Sequence, residues 1–255
     1  MTQSKKIVVI GGGSFGTAIA NIMAEKDIPP VLWVRDAAKA AAIQASHENS
    51  AYLPGLKLDS RLHISADLRQ SLSDAAIVFV SVPSKVFRAM VQQMRPFLAP
   101  DAIVVSTAKG IETGENHHGF WLMSDVLKQE LPKHRIAVLS GPNLAGEIAE
   151  KQLTGTVVAS ADAAVCQQVQ DCLRSPYFRV YSNNDVYGVE LGGVLKNSYA
   201  IACGMAAALG LGYNTISMLI TRSLAEMGRF AAKLGADPLT FIGFVGAGGF
   251  IAALL

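Results

Sequence analysis

The chain has 255 residues, of which 51% are apolar and 16% charged. That composition excludes a disordered polymer, and the length allows a full core without disulfide or metal staples. Lys and Arg total 22 against 20 Asp and Glu, a formal charge of +2, so the basic excess of a dedicated nucleic-acid binder is missing.

The opening M-T-Q-S-K-K leads directly into Ile7–Ile10, a β-branched run that reads as a strand. It is too short for a signal-peptide core, and the cytoplasm is the expected compartment. Ser14 to Ala24 has apolar residues at helical spacing, Val31–Val34 is a second strand, and Ala37–Ser46 is a helix. Ala75–Val82 reads as a buried strand, Ser84–Met94 as a helix ended near Pro96, and Ala102–Ser106 and Ile136–Ser140 as further strands. Val157–Ala159 and Phe178–Tyr181 add strands joined by a helix at Ala163–Leu173. Alternating strands and helices imply an α/β fold of Rossmann type. Its doubly wound, mostly parallel sheet is covered on both faces, as the near-continuous apolar strands require.

The pattern changes after about Asp185. Helix formers with Gly punctuation run from Val189 to Leu234, and S-N-N-D makes a polar turn. We therefore expect a dinucleotide-binding domain at 1–185 and an all-α domain at 186–255. Tyr199 to Ile220 is almost free of charge and of bilayer-spanning length. Gly210, Gly212, Asn214 and Thr215 interrupt it, so it reads as two buried helices joined by a turn rather than a membrane span. Residues Phe241–Leu255 are apolar and Gly-rich; such a run is expected to bury in a partner, or to belong to a longer protein. A homodimer is the expected assembly. Cys166, Cys172 and Cys203 form no C-x-x-C pair, so neither a disulfide framework nor a metal site is expected.

Gly11, Gly13 and Gly16 form G-x-G-x-x-G between the first strand and a helix. Gly11 permits the tight turn, Gly13 lets backbone approach a pyrophosphate, and Gly16 lets helix and strand pack closely. The anion would rest on the helix N-terminus, where free N–H groups and the helix dipole favour it. At the end of the second strand, Asp36 stands where an acidic residue binds an adenosine 2′-hydroxyl. Arg35 beside it could hold a 2′-phosphate, which favours NADP(H) while leaving NAD(H) open. Val82-Pro83-Ser84, Thr107-Ala108-Lys109-Gly110 and Ser140-Gly141-Pro142-Asn143 each follow a strand. Each alone reads as a strand-ending turn, but three at one sheet edge suggest a shared site. On a helix, Gly192, Lys196, Ala200 and Cys203 or Gly204 share one face, a stripe of small residues with a single ammonium. Lys196 is either a snorkelling packing residue or, if buried, an amine suited to proton transfer near neutral pH.

Taken together, these segments resemble bacterial NAD(P)-dependent glycerol-3-phosphate dehydrogenases. The resemblance is carried by G-G-G-S-F-G, N-S-A-Y-L-P-G, V-P-S, K-G, S-G-P-x-x-A-x-E, F-R-V-Y, D-V-x-G-V-E-L-G-G-x-L-K-N, G-L-G-x-N-T and I-T-R-x-L-A-E-M, in that order. It implies interconversion of dihydroxyacetone phosphate and glycerol 3-phosphate, the entry to glycerophospholipid synthesis. It also implies cofactor contacts at Ser14, Phe15, Arg35, Lys109 and Ala145. Substrate contacts are implied at Lys109, Gly141, Asn143 and Lys196, with Lys196 catalytic. The family usually has Ser or Thr at position 143. It has an Asp where Gly249 stands, and a later Ser-Arg-Asn phosphate clamp that lies beyond Leu255. These departures imply a chain that binds cofactor but turns over poorly. The rival readings are a non-catalytic dinucleotide-binding protein and a related hydroxy-acid or sugar-nucleotide dehydrogenase.

Overall fold

The computed structural model describes residues 6–114, 119–241, 243–248 and 251. The first half runs β1 (Lys6–Ile10), α1 (Ser14–Glu25), β2 (Val31–Trp33), α2 (Ala37–Ser46), β3 (His63–Ser65), α3 (Leu68–Leu72), β4 (Ala75–Val80), α4 (Ser84–Met94) and β5 (Ile103–Ser106). A two-stranded hairpin follows, β6 (Ile111–Glu112) and β7 (Trp121–Leu122), then α5 (Met123–Glu130), β8 (Arg135–Ser140), α6 (Ala145–Ala149), β9 (Thr154–Ala159), α7 (Ala163–Leu173) and β10 (Phe178–Asn183). Two long helices come last, α8 (Val186–Ala208) and α9 (Tyr213–Lys233).

Eight strands form one sheet in the order β10-β9-β8-β5-β4-β1-β2-β3. Successive side chains of each central strand enter opposite faces. Ile7, Val9, Ile77 and Phe79 join the apolar layer under α1, α2 and α7, while Val8, Ile10, Val78 and Val80 join the layer under α4 and α5. This split explains why the strands read as continuous apolar runs rather than alternating ones. The pairs are parallel except β8 with β9, which run antiparallel. The five-residue α6 between them is too short to cross the sheet and return in the manner of a full crossover helix.

The expected strands and helices are present, with ends shifted by one to three residues. Sequence periodicity did not reveal β3, α3, the β6–β7 hairpin, α5 or α6. These are short, and β3 is a three-residue edge strand fixed by backbone pairing to β2. Aspartates cap four of the helices: Asp36 accepts from Lys39 N at α2, Asp67 from Gln70 N at α3, Asp162 from Ala164 N at α7 and Asp185 from Gly188 N at α8.

α8 lies directly on the ends of β8 and β9, and its Gly-Gly pair removes side chains from two contacts, Gly193 from that with the end of β8 and Gly192 from that with the apolar tail. A Cβ on Gly193 would meet Ser140 Oγ at 2.4 Å, and one on Gly192 would meet Val245 Cγ1 at 2.9 Å. The break between α8 and α9 falls at Leu209–Gly212, with Gly210 at φ +74°. Among the described residues no helix is long and apolar enough to cross a membrane. The two helices joined by a turn are present, but they are buried only in part. Ile201, Met205 and Leu209 on α8 are 61–77% exposed, and Tyr213 on α9 is 92% exposed. α9 buries only the face with Ser223, Met227 and Ala231, and no other described element packs over the opposite side. Within the apolar tail, Phe241, Val245 and Gly246 are buried and Phe244 stacks on Tyr181 with centroids 4.8 Å apart.

One of the tightest approaches in the fold is between α1 and the turn before it. A Cβ on Gly16 would sit 2.1 Å from the Gly11 carbonyl oxygen, a backbone atom that cannot swing away. Gly16→Ala should therefore lower the unfolding free energy by roughly 1–3 kcal/mol, measured by urea denaturation. An unchanged midpoint would show that α1 is free to slide.

Candidate active site

The glycine turn, Gly11 to Gly16, occupies the carboxyl end of β1 in the middle of the sheet. Gly11 has φ +114°, and a Cβ there would meet Ser81 O at 2.5 Å. Only glycine satisfies both conditions. Gly13 has no heavy atom within 4 Å of an added Cβ and faces open space. It is the N-cap of α1, with no side chain capping the helix, so the first amides of α1 remain available to an anion. Ser14 and Phe15 are half-buried at this turn, and the Ser14 hydroxyl donates to Tyr52 O at 3.1 Å. The cradle therefore fits a dinucleotide pyrophosphate in shape and polarity.

The neighbouring strand ends close around it. Ser81 and Thr107 share a hydroxyl hydrogen bond of 2.7 Å between the ends of β4 and β5. A Cβ on Gly110 would strike Ser84 Oγ, so the V-P-S and K-G turns touch. Ala145, at the start of α6, packs with Phe15 on the edge of the same apolar layer. At the end of β2, Arg35 is exposed and makes no hydrogen bond among the described residues. Asp36 is different. Its carboxylate accepts from Lys39 N at 3.0 Å as the N-cap of α2, which holds it below the usual carboxylate range. One oxygen of that carboxylate is thus engaged by the helix, while the Arg35 guanidinium makes no hydrogen bond among the described residues.

Lys196 is only 2% exposed, and its Nζ donates to Gly141 O at 2.8 Å. It lies near enough to Lys109 for the charge of one amine to act on the other. Burial first, and the Lys109 charge second, lower the Lys196 pKa from 10.5 to about 7. Burial also lowers Lys109, although one flank of that residue is exposed. Nearby, Asn143 Nδ2 donates to Thr156 Oγ1 at 3.0 Å, and Thr156 Oγ1 donates to Ser140 O at 3.1 Å. Asn143 Oδ1, Ser140 Oγ and Ser106 Oγ are buried with no hydrogen-bond partner among the described residues. Buried polar atoms are normally paired, so this cluster suits a polar ligand. The structure thus gathers the expected Gly11, Gly13, Ser14, Phe15, Gly16, Lys109, Gly141, Asn143, Ala145 and Lys196 at one sheet edge, with Arg35 at its β2 end. Gly249 lies outside the described residues.

The loop carrying Lys109 is fixed from behind. Arg88 on α4 grips Glu112 with bonds of 2.6–3.0 Å, reaches Glu130 on α5 at 2.6 Å, and lies 5.7 Å from the centroid of the Trp121 ring. On α8, Glu190 accepts from Ser124 N at 3.0 Å, at the first turn of α5. Burial pushes its carboxyl up to about 7, with Asp125 adding to the effect. Neither Arg88 nor Glu190 was singled out in the sequence. The signal available for Glu190 was an acidic residue inside V-E-L-G-G, a run otherwise suited to burial.

Known proteins share the sequence and the fold of this chain. A family model described as the N-terminus of NAD-dependent glycerol-3-phosphate dehydrogenase matches residues 6–166, and its C-terminus counterpart matches residues 185–255. The chain belongs to this family. The NAD(P)+ glycerol-3-phosphate dehydrogenase of Saccharophagus degradans is 54% identical over 97% of this chain and 68% of its own length. That of Alcanivorax borkumensis is 52% identical over 99% of this chain and 73% of its own length. A crystal structure of glycerol-3-phosphate dehydrogenase from Coxiella burnetii superposes with a TM-score of 0.92 at 33% identity, covering 98% of this chain and 76% of that one.

The two buried titratable groups on α8 give the family member an unusual stability profile. Folded Glu190 keeps its proton to about pH 7, whereas the unfolded residue loses it near 4.5, so stability falls as pH rises across that window. Folded Lys196 loses its proton near 7 and the unfolded residue near 10.5, so stability rises with pH from 7 upward. Urea unfolding across pH 5–10 should show a low point near neutrality. Glu190→Gln should flatten the acid limb and Lys196→Met the alkaline limb, and a variant that leaves its limb intact would refute the assignment of that limb.

Proposed function

We propose that Lys196 is the proton donor in the reduction of dihydroxyacetone phosphate to glycerol 3-phosphate. The single observation that supports this most is a nearly fully buried amine, held on a main-chain carbonyl and facing a second lysine at the dinucleotide edge of the sheet. Bound NAD(P)H supplies the hydride to the ketone carbon. Lys196 gives its proton to the ketone oxygen as the alcohol forms, and takes it back in the reverse direction. A pKa near 7 suits both directions at neutral pH. Lys109, Gly141 and Asn143 hold the substrate, with the Lys109 ammonium drawing in the phosphate ester or the polarised oxygen. Gly11, Gly13 and Gly16 cradle the pyrophosphate, with Ser14, Phe15, Lys109 and Ala145 as further cofactor contacts. Arg35 holds the 2′-phosphate of NADP(H), in keeping with its free guanidinium beside an occupied Asp36.

In this reading residues 1–185 form the dinucleotide-binding domain and 186–255 the substrate-binding helical part. The change from β10 to α8 between Asn183 and Val186 supports that division. A cytoplasmic location belongs to the same proposal; Cys166, Cys172 and Cys203 form no disulfide among the described residues, in keeping with a reducing compartment. So does a homodimer, supported by the uncovered apolar stripe Ile201, Met205 and Leu209. Sedimentation velocity tests it, with a single monomer boundary as the opposing result.

Lys196→Met should lower turnover by about 10²–10⁴ while leaving NADPH binding intact, as followed by nicotinamide fluorescence. Turnover close to that of the parent would remove Lys196 from the chemistry. In the parent, ketone reduction should fall as pH rises through about 7, because the amine must be protonated to act as acid. Oxidation of glycerol 3-phosphate should rise over the same range. Arg35→Ser should weaken NADPH about tenfold or more and leave NADH nearly unaffected, since only NADPH carries the extra phosphate. Equal loss for both cofactors would overturn the role given to Arg35.

A further inference from the structure

Asn49 is 3% exposed and lies 32 residues or more beyond the groups it bonds. Its Nδ2 donates to Gly12 O at 2.9 Å and to Thr17 Oγ1 at 2.9 Å. A carbonyl can only accept, so the amide nitrogen must face it, and both of its protons are used. The main chain of Asn49 is tied down as well, its carbonyl accepting from Tyr52 N at 3.0 Å and Leu53 N at 2.8 Å. Leu53 is buried in the main apolar layer, and Ser14 bonds back to Tyr52 O. The N-S-A-Y-L-P-G segment is thus a bracket, anchored in the core, that reaches across to the glycine turn.

We infer that Asn49 is a positioning residue for the dinucleotide, which locks the Gly12–Gly13 peptide so that the Gly13 amide faces the pyrophosphate cleft. The inference rests on the reading that the glycine turn holds that group. The C=O of Gly12 and the N–H of Gly13 belong to one trans peptide and point in opposite directions. Holding the oxygen on Asn49 therefore turns the N–H away from Asn49. Glycines on both sides leave this peptide free to rotate unless something outside the turn restrains it. The bond to Thr17, in the first turn of α1, fixes the helix start in the same register. A preorganised amide binds an anion without the cost of ordering it first.

The test uses Asn49→Asp, Asn49→Ala and Thr17→Val. The aspartate keeps the shape but has no protons to donate, and sets a carboxylate against Gly12 O. NADPH titration by fluorescence should show a dissociation constant raised about tenfold or more for both Asn49 variants. Thr17→Val, which removes only one of the two bonds, should show a smaller rise. The KM for dihydroxyacetone phosphate should stay within about twofold, and urea unfolding without ligand should show a folded protein. Unchanged NADPH affinity in a folded Asn49 variant overturns the inference. So does a parallel rise in both KM values with lost stability, or failure of both Asn49 variants to fold, since each makes the role purely structural. Gly13→Val separates the two levels of argument. Its added side chain meets open space in the free protein, so normal NADPH binding by that variant would discard the pyrophosphate turn itself, not Asn49 alone.

Discussion

The bond from Lys196 Nζ to the Gly141 carbonyl joins the two halves of the molecule at the point where chemistry is possible. It requires an amine to be taken out of water, which is costly unless the group is bonded or neutral. The fold meets that cost in two ways. Gly141 supplies an acceptor at the end of β8, and the neighbouring Lys109 charge helps bring the amine near neutrality. Gly193, three residues earlier on α8, allows the helix to come near enough for the bond to form. A larger residue there would meet Ser140 at the end of β8 and hold α8 off the sheet, leaving the amine short of its acceptor.

Glu190 and Lys196 lie on one helix and are both buried, yet they do not neutralise each other. Glu190 faces the first turn of α5, where backbone amides and the helix dipole favour a carboxylate, while burial and Asp125 oppose the charged form. Lys196 faces the strand ends and a like charge. Each group is therefore poised near neutrality for its own reason. An ion pair between them would have fixed both charges and removed the amine's ability to exchange a proton.

Much of this was legible in the sequence where a local rule applied. Gly11 and Gly16 are demanded by a turn that needs positive φ and by a helix that nearly touches a carbonyl, and both stand at the spacing that marks such a turn. Lys196 was conspicuous because it interrupts a stripe of small residues on one helical face. What escaped depends on partners distant in the chain. Arg88 acquires its role only when Glu112, Trp121 and Glu130 fold around it, and no period links these positions. Asn49 resembles any polar loop residue until the glycine turn is brought beneath it. Asp36 has a second role that its place after β2 does not announce: a helix begins immediately after it, and one carboxylate oxygen caps that helix. The exposed stripe on α8 escaped as well, because an apolar run does not say whether anything covers it.

The lysine pair also bears on when the amine carries its proton. Two like charges facing each other in a partly desolvated crevice destabilise the doubly protonated state, and this is part of what lowers Lys196. An anionic phosphate ester placed against Lys109 would offset that second charge and, by its own field, favour the ammonium form of Lys196. On the proposed reading, the substrate therefore restores the proton that its own reduction consumes. Ser140 Oγ and Asn143 Oδ1, without a hydrogen-bond partner among the described residues, add polar atoms that a ligand could engage. The free crevice is electrostatically unrelieved, and a dianionic, hydroxyl-bearing molecule relieves it at each of these points, whereas a neutral ketone of the same size would leave the lysine pair as it was.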